Sequence, residues 1–348
     1  MENFMDFYGI PKSKTIKNFV WTTDRIPYPE KEIKGDTYPM TWAADGEIYA
    51  SSGDPCWGES GSGLDVEKFS GGAENYKIEK YNHMNDYLGW GGNGPKPSGM
   101  ISIDGMIYLA FQNLLGGQKA PHSVKSQPGC DAHIICCNPR WNQWYPALKT
   151  IEKPMFPGSR FGGPAFINFG KDNENARDGY VYAVSCDQWD NGSNVRLGRV
   201  PKEHIMEINY WEYFCASDKN GAPAWHGSID EAVPILSIHR HIGLPEMVYI
   251  AKIKRYLFLT WRLRSDFDPY EGTDLLILEA PEPWGPFSMV YFEEYWEGKE
   301  FTPYCPRLPL KWMEYKNGVA GYIQFSGSWA DHERGFYRSN LRKFLLDC

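Results

Sequence analysis

The sequence predicts an all-β fold, a five-bladed β-propeller whose four-stranded antiparallel blades surround a central channel. Three observations predict it. Aromatic residues make up 16% of the 348 positions and are accompanied by 35 Gly and 25 Pro. That composition favours strands and turns, because aromatics fit pleated surfaces while Gly and Pro interrupt helices. One phrase also recurs along the chain: a short apolar stretch, a turn carrying Gly or a charged pair, then a β-rich stretch. After most copies a second strand pair follows, so that four short strands repeat at a spacing of roughly 50 to 70 residues, as stacked blades require.

Taken in order, the first copies are YPMTWAADGEIYASSGD (38–54), GMISIDGMIYLAFQN (99–113) and GPAFINFGKDNENARDGYVYAVSCD (163–187), followed by PEMVYIAKIKRYLFLTWR (245–262) and LPLKWMEYKNGVAGYIQFSG (308–327). The second strand pairs are AHIICCNPRWNQWY (132–145), NVRLGRVPKEHI (194–205), TDLLILEAPEPWGPFSMVYF (273–292) and GFYRSNLRKFLL (335–346). A two-sheet sandwich also contains many short strands, but it does not call for a repeated hairpin phrase. Only KEHIMEINYWEYF (202–214) has apolar spacing near that of a helix, and a short helix or single turn in a loop accounts for it. The Gly-rich CWGESGSGLDVEKFSGGAEN (56–75) reads as a long polar loop, of a kind that is either functional or mobile. Nothing marks a linker, so residues 1–348 are expected to form a single catalytic propeller.

The net charge of −8 and a pI near 5.6 argue against nucleic acid, which demands a basic stripe. No run of eighteen apolar residues predicts a membrane span, and MENFMDFYGIPKSK has neither an apolar core nor a small-residue cleavage site. The expectation is a cytoplasmic protein without a membrane partner. The eight cysteines form no paired CxxC pattern and are expected to be reduced thiols, with Cys136 and Cys137 on opposite faces of a strand. No feature of the sequence sets an oligomeric state.

In a propeller the first strand of each blade lines the channel, so residues at the starts of those strands converge on one end of the axis. The same offset in each blade selects Asp36, Lys96, Arg160, then His239, His241 or Glu246, and finally Arg307. The second strand returns to the same face, which brings Asp54 beside Asp36. Two carboxylates in a cationic cup are the minimal equipment for glycoside hydrolysis, one protonated for the leaving oxygen and one ionised as base or nucleophile. Like charges held together cannot both ionise easily, so their pKa values separate. Asp36 and Asp54 are therefore the catalytic candidates, with Glu246 as a reserve acid. Lys96, Arg160, His239 and Arg307, with Arg262 as a further cation, are candidates for holding substrate. Trp42, Trp57 and Trp90 lie near the predicted mouth, where the C–H face of a sugar could stack on them. The DG pairs at Asp45, Asp104 and Asp178 read as turns, and the NGS at Asn191 reads as an accidental glycosylation match. His239 and His241 are expected on one strand face toward the channel, where an axial divalent cation could sit, although spacing names no ligand set. No cofactor is required for the chemistry.

Several of these phrases resemble the family known as domain of unknown function 4185, five-bladed propellers that include endo-D-arabinanases. GDTYPMTWAADGEIYASSGD is similar to its first blade, KPSGMISIDGMIYLAF to its second and FGGPAFINFGKDNENARDGYVYAVS to its third, while EAPEPWGPFSMV and LPLKWM are similar to its last two. The likeness runs from about Asp36 to Leu346. It implies glycosidase activity on a furanoside or related sugar, with Asp36 and Asp54 where the family's catalytic aspartates fall. Two alternatives share the carbohydrate partner. One is β-elimination from a uronic acid, with the cations on its carboxylate and a His or Tyr as base; the other is a binding propeller without turnover.

Overall fold

The computed structural model describes residues 9–57, 63–84, 94–114, 129–147, 150–219, 221–265, 271–316, 318–328 and 335–348. Strands β1 (Asn18–Trp21) and β2 (Ile26–Pro27) precede the first blade, which holds β3 (Ile33–Asp36), β4 (Met40–Trp42), β5 (Ile48–Trp57), β6 (Leu64–Ser70) and β7 (Lys77–His83). Both β3 and β4 pair with β5, so the innermost strand of this blade is broken in two. Blade two contains β8 (Lys96–Ile103), β9 (Met106–Gln112), β10 (His133–Asn138) and β11 (Gln143–Tyr145). Blade three contains β12 (Pro164–Phe166), β13 (Tyr180–Cys186), β14 (Gly192–Pro201), β15 (Glu212–Ser217), β16 (Pro223–His226) and β17 (Leu236–Ile242), the last pairing back onto β14. Blade four is β18 (Glu246–Ile250), β19 (Arg255–Leu263), β20 (Thr273–Ala280) and β21 (Ser288–Glu293). Blade five is β22 (Pro303–Arg307), β23 (Val319–Gly327) and β24 (Asn340–Asp347).

The five antiparallel sheets form a ring, and β1 closes it by pairing with β24 from Asn18↔Asp347 to Trp21↔Phe344. The alternation of NFVW explains how four residues suffice. Phe19 turns inward and stacks between Tyr291 of blade four and Phe344 of blade five, with ring centroids 4.5 and 5.2 Å away. Without β1 the edge of β24 would present unpaired backbone groups to solvent.

The predicted hairpins are present, with three departures. LPLKWM forms a 3-10 turn at Leu310–Trp312, and the innermost strand of blade five is PYCPR, just before it. KEHIMEINYWEYF becomes two 3-10 turns, Lys202–His204 and Ile208–Tyr210, followed by β15, because its aromatic second half fits a pleated sheet better than a helix. Within 56–75, LDVEKFS is a strand whose Leu64, Val66 and Phe69 are fully buried. The DG turns keep their structural role. In D-G-x-x-Y at residues 45–49 and 178–182 the aspartate accepts the tyrosine hydroxyl at 2.9 and 2.8 Å, and a backbone N–H two residues on at 3.0 and 2.9 Å.

The channel is packed. Asn168 accepts the Thr41 hydroxyl at 2.8 Å and donates to the Met100 carbonyl at 2.9 Å, while Ser102 N–H reaches Thr41 at 2.9 Å and Tyr249 N–H reaches the Asn168 carbonyl at 3.0 Å. Four blades are thereby tied at the axis. The void beside Thr41 and Trp42 is about 10 Å³, room for a single water. Close approach of blades two and three depends on Gly99, where a Cβ would stand 2.5 Å from the Pro164 carbonyl oxygen and 2.8 Å from Ala165 Cα. Since both obstacles are backbone, Gly99→Ala should destabilise the protein by about 1–3 kcal/mol. Denaturant unfolding tests this, and an unchanged midpoint would contradict the packing described.

Candidate functional site

Three innermost strands lose their regular register at one level of the ring. In β3 the shift lies between Lys34 and Asp36, in β8 between Pro97 and Gly99 just after Lys96, and in β22 between Tyr304 and Arg307. Bulges of this kind re-aim side chains and bend the strand. After Asp36 the chain is left-handed at Thr37 and Tyr38 (φ 61° and 38°), and Tyr38 N–H donates to the Asp36 carbonyl at 2.7 Å, closing a three-residue γ-turn. Cys305 and Asp54 are also left-handed, at φ 51° and 44°. Such conformations cost roughly 1–3 kcal/mol each and persist where the surroundings dictate them.

Here the surroundings do dictate them. Arg307, 1% exposed, donates from Nε to the Thr37 carbonyl at 2.7 Å and from Nη1 to the Pro245 carbonyl at 3.0 Å, with Glu246 Oε2 at 3.4 Å. Glu246 Oε1 in turn accepts Leu308 N–H at 2.8 Å. This buried pair clamps blade five to blades one and four and pins the turn that aims Asp36.

At the centre, Tyr304 donates its hydroxyl to Asp36 Oδ2 at 3.0 Å. Tyr337, whose hydroxyl lies 3.4 Å from the Gly53 carbonyl, adds a second phenol to the same carboxyl. Gly53 faces Asp36 across the β3–β5 ladder, and a Cβ there would overlap Asp36 Oδ1 and lie 3.4 Å from Lys96 Cδ, so only glycine lets acid and lysine close over the backbone. The next residue, Asp54, holds the Lys96 ammonium at 3.0 Å, while Lys96 also donates to the Gly63 and Pro95 carbonyls at 3.3 Å. Burial first, then the neighbouring Asp54 charge, push the Asp36 pKa up to about 8, against the opposing pull of Tyr304, Lys96 and Tyr337. Asp36 thus holds its proton at neutral pH beside an ion-paired Asp54.

The remaining sequence-predicted residues lie elsewhere. Arg160 is exposed and pairs with Asp230 at 3.2 Å, because it sits in the turn ahead of β12 and not at the start of a channel strand. His239 is exposed on β17, a rim strand of blade three, and the left-handed Arg240 (φ 53°) separates it from the buried His241. Burial, with Arg262 and Arg264 nearby, depresses His241 to about 3. Arg262 is committed to the buried Asp274 at 2.8 Å. Glu246 and Arg307 belong to the clamp, so Lys96 is the one cation of the proposed cup at the aspartates. Trp42 is at the opposite end of its hairpin, its indole N–H on the Gly46 carbonyl at 3.2 Å. Trp90 lies outside the described residues, as does the side chain of Trp57. Among the described residues no cluster of three or more His, Cys, Asp or Glu could hold a metal ion. The sequence does not single out Tyr304, on β22, or Tyr337, in the bend ahead of β24, since no motif marks either.

No family model matches the chain, and comparison with curated proteins finds no match. Solved structures do match in fold. A Bacteroides ovatus protein provisionally described as a hydrolase shares 13% identity at a TM-score of 0.55, covering 97% of this chain and 94% of its own. A xylan β-1,4-xylosidase from Bacillus halodurans shares 11% at a TM-score of 0.50, over 92% of this chain and 54% of its own. Neighbours of this kind are five-bladed propellers and include glycoside hydrolases. These comparisons do not show the domain of unknown function 4185 family that the sequence phrases resemble.

Asp36 makes stability depend on pH. Between the unfolded carboxyl value near about 4 and its folded value of about 8, the native state holds a proton that the unfolded chain has lost, so stability falls as pH rises across this window. Asp36→Asn removes that dependence: its melting temperature should gain on the wild type steadily from pH 5 to pH 8. A constant difference between the two across that range would contradict the assignment.

Proposed function

We propose that this propeller is a glycoside hydrolase in which Asp36 is the general acid and Asp54 the base or nucleophile. The observation that carries the reading is a buried Asp36 carboxyl held by the Tyr304 hydroxyl next to an Asp54 ion-paired with Lys96, at the channel end away from the hairpin turns. Asp36 would pass its proton to the glycosidic oxygen as the bond breaks, with Tyr304 and Tyr337 holding the resulting carboxylate. Asp54, kept ionised by Lys96, would activate water or attack the anomeric carbon. Water is the only co-reactant, the substrate is an oligo- or polysaccharide, and the whole chain acts as one catalytic unit. The fold likeness to a protein provisionally described as a hydrolase and to a xylosidase supports the reading by analogy. The endo-D-arabinanase resemblance points the substrate toward a furanoside.

Elimination from a uronic acid fits less well. Burial and the neighbouring carboxylates push Tyr304 and Tyr337 well above the ordinary phenol value, His239 is exposed on the rim, and the cations meant for the uronate are dispersed. A binding propeller without turnover would have no use for a carboxyl poised near neutrality.

Assay against a panel of aryl glycosides and oligosaccharides, including furanosides, tests the proposal. Asp36→Asn should lower kcat by about 10²- to 10⁴-fold while the fold survives. Asp54→Asn should lower it comparably and also lower the melting temperature, because Lys96 is left buried without its partner, a loss of about 3–5 kcal/mol. Wild-type turnover in either variant, or no hydrolysis of any panel member by the wild type, would overturn it.

A further inference from the structure

On the hairpin-turn side of the ring, away from Asp36, a cleft of about 550 Å³ opens between blades three and four. Its volume lies within the range of small-molecule sites. Arg177, Asp178 and Tyr182 line one wall from the first hairpin of blade three, Ala222 and Pro223 come from the β15–β16 turn, and Glu282 and Trp284 come from the loop after β20.

The half-buried indole of Trp284 is the largest group on this surface, and it is held rigidly. It lies nearly parallel to Phe214, 8° off at a centroid distance of 6.5 Å, and edge-on to Trp225 at 6.1 Å. Trp225 is itself covered by the Arg199 guanidinium at 4.1 Å. The polar wall is equally well fixed. Arg177 grips Glu282 through two parallel bonds of 2.7 and 3.0 Å, and Asp178 accepts the Tyr182 hydroxyl at 2.8 Å.

The charges on this wall narrow the ligand class. Arg177 is neutralised by its bidentate carboxylate, and Asp178 adds an acidic group, so among the described lining residues an anion would find no free positive charge. What remains on offer is a fixed aromatic face, Pro223 and Pro283, and carboxylate oxygens with spare acceptor capacity. A ring with a C–H face and hydroxyl donors at its edge satisfies all three together.

We propose that this cleft is a second saccharide-binding site, separate from the aspartate pair, which takes a neutral sugar against Trp284 with its hydroxyls on Asp178 and Glu282. It engages carbohydrate whether or not the chain turns it over. A long glycan reaching around the rim would thereby be held while another part of it lies at the channel mouth.

The test is calorimetric titration of the full chain with xylotriose, arabinotriose and cellotriose, using Asp36→Asn so that no probe is consumed. At least one trisaccharide should bind in this background, and adding Trp284→Ala should weaken that binding at least tenfold. Ala222→Trp, which fills the cleft from an exposed turn position, should do the same with an unchanged melting temperature, guarding against a folding defect in the first variant. Trisaccharide binding that both variants leave at the parent's strength, or none at all, would overturn the proposal. Loss of turnover in Asp36→Asn with cleft binding intact bears on the aspartates alone, so failure of one reading is distinguishable from failure of the other.

Discussion

Two carboxyl groups cannot be buried against each other as two negative charges, and the upper part of this propeller is arranged around that constraint. Desolvation alone disfavours ionisation, and each charge makes the other worse. The chain resolves the conflict asymmetrically. Asp54 receives a lysine ammonium at 3.0 Å, whereas the hydrogen-bond partners of Asp36 among the described residues are phenol hydroxyls, which can hold either protonation state. One group is thereby ion-paired while the other keeps its proton at neutral pH, without any difference in residue type between them.

That asymmetry depends on backbone geometry that a regular sheet does not provide. Blade one breaks its innermost strand at Asp36, and the left-handed turn that follows is held from outside by Arg307, whose own charge is satisfied by Glu246. Blades two and five bulge at the same height. The axis below is closed by the hydrogen bonds of Asn168, so these upper irregularities rest on a rigid floor. The left-handed turn after Asp36 is held by a buried ion pair that joins three blades.

Much of the ring was legible in the sequence because its signals are local. Alternating apolar residues and DG turns report on pairs of strands a few residues apart, and counting strands from Asp36 through the turn at Asp45 to Asp54 is enough to bring the two acids together. Lys96 followed from the same offset. The rule failed where blades differ from the average. Blade three carries two extra rim strands, so the histidines ahead of Glu246 belong to its edge and not to the channel, and its innermost strand begins only at Pro164, leaving Arg160 on the outside. In blade five LPLKWM looks like a strand, whereas the innermost strand lies just before it and the bulge at Cys305 sends Arg307 inward to clamp. Tyr304 and Tyr337 are two among 22 tyrosines, and only the folded geometry around Asp36 singles them out. The closing strand β1 is four residues long, too short to carry a periodic signal of its own.

The account stands or falls on the proton held by Asp36. Carbon-13 NMR of the side-chain carboxyl groups in aspartate-labelled protein, followed from pH 4 to pH 10, reads that proton directly. A single aspartate resonance titrating near pH 8, absent from the Asp36→Asn spectrum, is the predicted result. If the resonance removed by that substitution titrates in the ordinary carboxylate range, the division of the two aspartates into acid and base is contradicted.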